Sequence, residues 1–121
     1  MHRDYKPAPP KPEKKSNPFN VVVIDAGHGG HDPGCNTGDS REKDITLAIA
    51  LKLGKLIEDS LKNIKVIYTR KTDKFIELSE RSNIANKNNA DLFISIHCNA
   101  NDNHDAKGTE TYLMGLHKSD D

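Results

Sequence analysis

Cysteine is scarce in this sequence, and long apolar runs and an excess of charge of one sign are missing from it. Its two cysteines, Cys35 and Cys98, are too few for a disulfide framework or a cysteine-based zinc site, and we expect two free thiols. Basic and acidic residues balance at 18 each, which gives no reason to expect nucleic acid or an anionic membrane as a partner. No apolar run reaches the length of an integral membrane segment, and the N-terminus lacks the hydrophobic core of a signal peptide.

Proline is scarce except at the N-terminus, where residues 1–18 hold five of the six prolines. Proline-rich backbone cannot form helices or sheet ladders, so this segment predicts an extended linker. A spacer is favoured over a ligand for a proline-binding module. The sequence therefore predicts a linker over residues 1–19, followed by one domain over residues 20–121.

The first apolar run of that domain, Val21–Ile24, leads into Asp25-Ala26-Gly27-His28-Gly29-Gly30. A short, β-branched run without polar alternation is typical of a strand covered on both faces. The glycines allow a sharp turn that leaves the imidazole uncrowded. We therefore expect a buried strand that delivers His28 to the edge of a sheet.

Alternating helix and strand patterns follow the first strand. The predicted elements are a loop over 31–41, a helix over 43–62, a strand over 64–69, a helix over 77–88, a strand over 91–97 and a fourth strand over 108–114. This order predicts an α/β fold with three layers, in which helices flank a mostly parallel or mixed sheet that is incomplete on its C-terminal side.

Each helix also carries a predicted inward face. Asp39 or Ser40 is placed to cap the first helix, whose apolar positions recur at helical spacing. Those positions are Ile45, Ile49, Leu53, Leu56 and Ile57. In the second helix, Leu78, Ile84 and Ala85 are expected to point inward, and Glu77 and Arg81 are spaced for a surface ion pair.

Two predicted strands end in a histidine, because His97 follows the third strand as His28 follows the first. Parallel strands bring both residues to the carboxyl edge of the sheet. Glu42, at the start of the first helix, supplies a carboxylate nearby. Three such ligands and a water are a typical catalytic zinc site. Asp25 could orient an imidazole, and Asn99 could hydrogen-bond substrate or loop backbone.

Several alternatives remain open at this point. Glu42 stands three residues after Asp39, which is the spacing of a capping box. His31 is a possible alternative ligand, and strand alternation should turn Cys98 away from His97 into a buried position. The glycines around His28 could cradle a phosphate, but they lack the spacing of known phosphate motifs. The remaining histidines are interpreted as surface residues: His2, His104 and His117.

Five segments closely resemble the zinc-dependent N-acetylmuramoyl-L-alanine amidases of the type 3 cell-wall family. They are Val-Ile-Asp-Ala-Gly-His-Gly-Gly-x-Asp-Pro-Gly at 23–34, Arg-Glu-Lys-Asp at 41–44, Thr-Arg-x-x-Asp at 69–73, Leu-x-Glu-Arg-x-x-Ile-Ala-Asn at 78–86 and Ser-Ile-His-x-Asn-Ala at 95–100. Other zinc peptidases could share the ligands but would not explain all five segments. The resemblance implies that His28, Glu42 and His97 bind Zn²⁺.

The resemblance further implies that the substrate is peptidoglycan, cleaved between N-acetylmuramic acid and the L-alanine of its stem peptide. Such work takes place in the periplasm or at the cell surface. The family's general-base glutamate lies in a later strand that these 121 residues lack, and Glu110 is not assigned to replace it. We therefore expect part of an amidase catalytic domain with an exposed sheet edge; the alternative is an inactive fragment that binds zinc and peptidoglycan.

Overall fold

The computed structural model describes residues 19–114, which contain three strands and two helices. The strands are β1 (Val21–Ala26), β2 (Lys65–Tyr68) and β3 (Leu92–Ile96), and the helices are α1 (Glu42–Ser60) and α2 (Leu78–Lys87). These five elements confirm the predicted order, with ends that move by one or two residues. The predicted linker up to residue 18, His2 and His117 lie outside the described residues.

The strands form a parallel sheet in the order β2-β1-β3. In its centre, Ile24 pairs with Tyr68 on one side and with Ile94 on the other. Val23 and Ile24 have no exposed surface, as expected for a strand covered on both faces. Because β1 is central, whatever follows its carboxyl end is surrounded by the ends of both neighbours.

Helix α1 packs on one face of the sheet through small residues. Thr46, Ala50 and Gly54 are buried, and a Cβ atom on Gly54 would overlap the hydroxyl of Tyr68. The apolar face predicted for this helix is correct for Leu53 and Ile57, which pack against the core. It is wrong for three side chains that remain 40–63% exposed, Ile45, Ile49 and Leu56. Because α1 approaches β2 closely, its buried positions hold small residues rather than large apolar ones.

The loop before α1 replaces a side-chain cap. The N-cap residue is Arg41 and no side chain caps the helix, so the predicted cap by Asp39 or Ser40 is wrong. Instead, the N–H of Glu42 donates to the carbonyl of Cys35 and the N–H of Lys43 donates to that of Pro33. The loop folds back over the helix and supplies acceptors to N–H groups that a helix start leaves unpaired.

Helix α2 lies on the face of the sheet opposite α1 and contacts it through a buried arginine. Arg81 is 5% exposed and contacts Asp25, so its predicted surface pair with Glu77 is wrong. Leu78, predicted to point inward, is 81% exposed, whereas Ile84 and Ala85 are half-buried. Val22 and Ile24 face α1 and Asp25 faces α2, which confirms the three-layer arrangement.

The predicted fourth strand is not formed. Residues 108–114 carry no strand, and Tyr112, Leu113 and Met114 are 81–99% exposed. A strand needs a neighbour with which to exchange backbone hydrogen bonds, and within residues 19–114 β3 pairs with β1 alone. Apolar surface is exposed at β3 as well, on Leu92 and Phe93, as expected for an uncovered edge. Neither described helix is long and apolar enough to cross a bilayer.

Candidate metal centre

His28 lies in a tight turn directly after β1. The backbone N–H of Gly27 still donates to the carbonyl of Ile96, so pairing with β3 continues up to the turn. His28 then adopts a φ of 63°, in the left-handed region, and Gly29 and Gly30 follow with positive φ values. Left-handed backbone reverses the chain and exposes the carbonyl groups of the turn, which must find donors elsewhere.

Two buried arginines supply those donors. Arg81 donates to the carbonyls of Ala26 (2.7 Å) and His28 (2.9 Å). Arg70, which follows β2, donates to the carbonyls of Ala26 (3.0 Å) and Gly27 (2.9 Å). Three successive carbonyl groups of the turn are therefore held from two sides. The backbone that carries His28 is fixed by side chains that are distant in sequence.

Asp25 anchors the same network from inside the sheet. Its carboxylate accepts hydrogen bonds from Thr69 (2.6 Å), Arg81 (2.8 Å) and Ser95 (2.7 Å). Burial by itself would raise the pKa of Asp25, but these hydrogen bonds and the charge of Arg81 outweigh it and lower the pKa. The prediction that Asp25 orients an imidazole is wrong, because its position in β1 points it towards α2.

Asp32, rather than Asp25, contacts an imidazole of the site, although this role was not predicted from the sequence. Its Oδ2 lies 2.8 Å from Nδ1 of His28, and its Oδ1 accepts the N–H of Gly34 at 3.1 Å. The hydrogen bond with His28 is the main cause that lowers the pKa of Asp32. An aspartate four residues after a histidine in a glycine-rich turn was the available signal, since such a turn brings the two side chains together.

Glu42 is buried at the start of α1, with 5% of its surface exposed. Its Oε2 accepts the N–H of Cys35 (2.9 Å) and its Oε1 accepts the N–H of Cys98 (2.8 Å). Burial raises the pKa of Glu42, but the two backbone donors and the neighbouring histidines more than offset this and hold the pKa below its ordinary value. The capping box that was the alternative for Glu42 is not formed.

The structure brings His28, Glu42 and His97 together. Oε1 of Glu42 lies 3.1 Å from Nε2 of His28 and 3.2 Å from Nδ1 of His97, and the ligand atoms of the three residues lie within 4.8 Å of one another. Ligand atoms of tetrahedral zinc are about 3.3 Å apart when each bond is about 2.0–2.1 Å. The separations from Glu42 therefore fit a zinc ion.

The hydrogen bonds around this group also favour a cation. Ionised Asp32 has no proton to donate, so in its contact with Nδ1 of His28 the carboxylate is the acceptor. In the tautomer protonated at Nδ1, Nε2 of His28 presents a lone pair to Oε1 of Glu42, a second acceptor, at 3.1 Å. Two acceptors at this distance repel each other unless a metal ion or a proton lies between them. The three residues form a group that could hold a metal ion.

A cavity of about 330 Å³ opens beside the group. His28 and His97 lie on one side of it, and Phe75, Ile76 and Leu78 lie among its other lining residues. A substrate could therefore approach the two imidazoles from solvent, across apolar side chains of the segment that leads into α2. This is the arrangement expected of a catalytic site rather than of a closed structural metal site.

The other predicted site residues lie outside the group. His31 packs against Phe75, with ring centroids 4.1 Å apart, and His104 is exposed. Asn99 donates to Glu110 at 3.2 Å. Cys35 and Cys98 are both free thiols; Cys98, for which burial is predicted, is half-buried, and burial raises its pKa.

The fold and the site together define an α/β protein with a candidate His/Glu/His metal centre at the carboxyl edge of its parallel sheet. Residues 22–121 match the family described as N-acetylmuramoyl-L-alanine amidase, and the chain belongs to this family. The match confirms the resemblance carried by the five sequence segments.

Individual relatives agree with this assignment. A sporulation-specific N-acetylmuramoyl-L-alanine amidase of Bacillus subtilis (strain 168) is 37% identical over 92 residues, which are 76% of this chain and 35% of that protein. An endolysin of Bacillus phage SPP1 is 46% identical over 92 residues, 76% of this chain and 33% of that protein. The chain thus spans about a third of the length of these curated relatives.

A solved structure agrees in fold as well as sequence. The crystal structure of an N-acetylmuramoyl-L-alanine amidase from Clostridium difficile 630 superimposes with a TM-score of 0.66 and 40% identity. The match covers 73% of this chain and 48% of that one. The parallel sheet with helices on both faces is therefore the arrangement of an amidase catalytic domain over the part that the two chains share.

Proposed function

We propose that this chain is part of a zinc-dependent peptidoglycan amidase that hydrolyses the amide between N-acetylmuramic acid and the L-alanine of the stem peptide. His28, Glu42 and His97 are the proposed zinc ligands. Residues 20–121 are the proposed catalytic-domain portion, and residues 1–19 the linker. The observation that carries the proposal is the convergence of Nε2 of His28 and Nδ1 of His97 on one oxygen of Glu42, beside an open cavity.

The residues of this chain would prepare the site in three ways. When bound, zinc supplies a Lewis acid for the scissile carbonyl and lowers the pKa of water enough for attack near neutral pH. Glu42 places one negative charge at the centre, with its orientation fixed by two backbone donors. The two imidazoles serve as neutral ligands on the cavity side. The apolar residues 75, 76 and 78 offer a surface for the part of the substrate that flanks the amide.

Proton transfer requires a further group, which takes a proton from water and returns one to the leaving amine. The family resemblance assigns this task to a glutamate in a later strand. We therefore assign no general base among residues 19–114. Because peptidoglycan lies outside the cytoplasmic membrane, the periplasm or the cell surface is the proposed place of action.

Zinc content tests the metal centre directly. Purified protein is expected to bind one zinc ion per chain, and His28→Ala or His97→Ala is expected to abolish stoichiometric binding, measured by metal analysis after dialysis. His104→Ala is the matched control, because His104 is exposed and outside the group. Retention of one zinc ion in the double variant His28→Ala/His97→Ala would contradict the ligand assignment.

Turnover is tested separately from binding. Sedimentation with purified sacculi measures binding to peptidoglycan, and release of stem peptides measures hydrolysis. Release that depends on zinc and on His28 supports the amidase. Zinc-dependent sedimentation without release supports the second candidate, a zinc and peptidoglycan-binding protein without turnover.

A further inference from the structure

Asp32 contacts the candidate metal centre without belonging to the three proposed ligands. Its two carboxylate oxygens have different partners. Oδ1 accepts the N–H of Gly34, which is a local turn contact, whereas Oδ2 lies 2.8 Å from Nδ1 of His28. The second contact reaches a side chain that faces the cavity and therefore requires an explanation beyond loop structure.

The loop does not need this second contact to keep its shape. Backbone hydrogen bonds run in both directions between Gly29 and Asp32, at 2.9 and 3.1 Å. Asp73 holds the same loop from outside, because it accepts the N–H of Gly30 at 2.7 Å and pairs with Lys43 at 2.7 Å. The position of Asp32 is thus fixed by backbone, and its Oδ2 is available to act on His28.

A carboxylate on one imidazole nitrogen decides which nitrogen is left to bind a metal. When the proton is on Nδ1 of His28 and is donated to Asp32, Nε2 keeps its lone pair, and this atom lies 3.1 Å from Oε1 of Glu42. His97 differs, since within residues 19–114 the side chain that it hydrogen-bonds is Glu42 itself. In the described part of the chain, His28 is therefore the one of the two imidazoles that contacts a separate carboxylate outside the three proposed ligands.

We propose that Asp32 is a positioning residue that holds His28 in the Nδ1–H tautomer and so presents Nε2 as the metal ligand. The proposal rests on the proposed zinc site. Carboxylates that hold a ligand histidine in this way also raise the basicity of the ligand nitrogen. Asp32 acts through His28 and does not contact substrate or metal in this role.

The sharpest variant is Asp32→Asn. Its amide oxygen can still accept the N–H of Gly34, but the nitrogen that replaces Oδ2 cannot accept a proton from Nδ1 of His28. We expect zinc affinity, measured by competition with a chelator of known affinity, to fall by about 10- to 100-fold. Asp73→Asn is the matched control, because it changes a carboxylate that contacts the same loop from outside without touching His28. It should leave zinc affinity within about twofold of the unchanged protein, given the local nature of such effects.

A second measurement needs no zinc, and its first part, on the unchanged protein, needs no variant. Imidazole ¹⁵N resonances of the metal-free protein, recorded at about pH 8.5 where an ordinary histidine is neutral, report which nitrogen carries the proton. We expect His28 in the Nδ1–H form, with a shift towards the Nε2–H form in Asp32→Asn. The resonances of His97 provide an internal reference.

The outcomes separate this inference from the proposed function. An Nε2–H tautomer of His28 in the metal-free protein, or unchanged zinc affinity in Asp32→Asn, overturns the positioning role. Absence of zinc binding by the unchanged protein overturns the proposed metal centre instead, and the tautomer measurement still decides what Asp32 does.

Discussion

The two histidines of the candidate centre are held very differently. His28 follows the central strand; its side chain is 24% exposed and hydrogen-bonded to Asp32, and its backbone is held by two arginines. His97 follows β3, which is an edge strand within residues 19–114, and its side chain is 44% exposed. Beyond it, residues 99–114 form neither helix nor strand. The side of the centre that carries His28, which we call the rigid side, is held by many contacts. The side that carries His97, which we call the adaptable side, depends on few contacts among the described residues.

This difference indicates how the site would assemble. The position of a ligand after a central strand can be fixed by both neighbouring strands and by helices on both faces. A ligand after an edge strand receives such support from one side. We expect His28 and Glu42 to define the geometry of the bound metal and His97 to adjust to it.

Removing Arg81 should have the largest effect, because it breaks the rigid side. Arg81→Met leaves Asp25 as a buried charge without its ion-pair partner and leaves the carbonyls of Ala26 and His28 without this donor. Loss of one partner of a buried pair costs about 3–5 kcal/mol of unfolding free energy. Urea denaturation measures this loss. Lys55→Met, which removes the exposed pair with Asp59, is the control and should change stability little. Equal effects of the two substitutions would contradict the comparison.

Gly27→Ala tests the adaptable side. A Cβ atom at this position would lie 2.6 Å from Nδ1 of His97, so the imidazole must move. Because His97 is partly exposed, we expect it to swing away at little cost in unfolding free energy while zinc affinity falls by at least about tenfold, or about 1.4 kcal/mol.

Gly38→Ala is the reciprocal control for that substitution. Gly38 has a φ of 89°, which strains alanine, but its Cβ would meet nothing within 4 Å. This variant should lose stability and keep its zinc affinity. If Gly27→Ala instead unfolds the protein without altering zinc binding by the folded fraction, His97 is not the adaptable ligand.

Acid should lower the unfolding free energy by a smaller amount, and gradually, because Asp25 on the rigid side becomes protonated. The pKa of Asp25 is lowered in the folded protein, so its contribution to stability is present above its unfolded pKa of 3.8 and is lost as pH falls through the lower folded value. We expect unfolding free energy to decrease below about pH 4. The decrease should be shallower in Asp25→Asn, which cannot titrate at this position. Identical pH slopes in the two proteins would contradict a role for Asp25.

The sequence predicts the elements and the meeting of the three proposed ligands well. The β-branched runs mark all three strands, and parallel pairing brings the residues after β1 and β3 to one edge. Glu42 could be placed because it begins the helix that leaves that edge. These features depend on local patterns and on one topological rule, and both are readable without coordinates.

The supporting network could not be predicted in the same way. Arg81 and Asp25 are 56 residues apart, and a charged residue on a short helix is ordinarily solvent-exposed. The packing of α1 depends on how closely Gly54 approaches Tyr68, a distance that hydrophobic periodicity does not report. The residues at 108–114 have a strand-like composition, but composition does not supply a pairing partner.

The left-handed backbone of His28 has one more consequence. A φ of 63° costs a residue with a side chain about 1–2 kcal/mol, and glycine avoids most of that cost. Glycine at position 28 would therefore relieve backbone strain but remove an imidazole from the cavity. At this turn, stability and the proposed metal binding oppose each other, and selection for thermal stability alone would favour replacement of the proposed ligand His28.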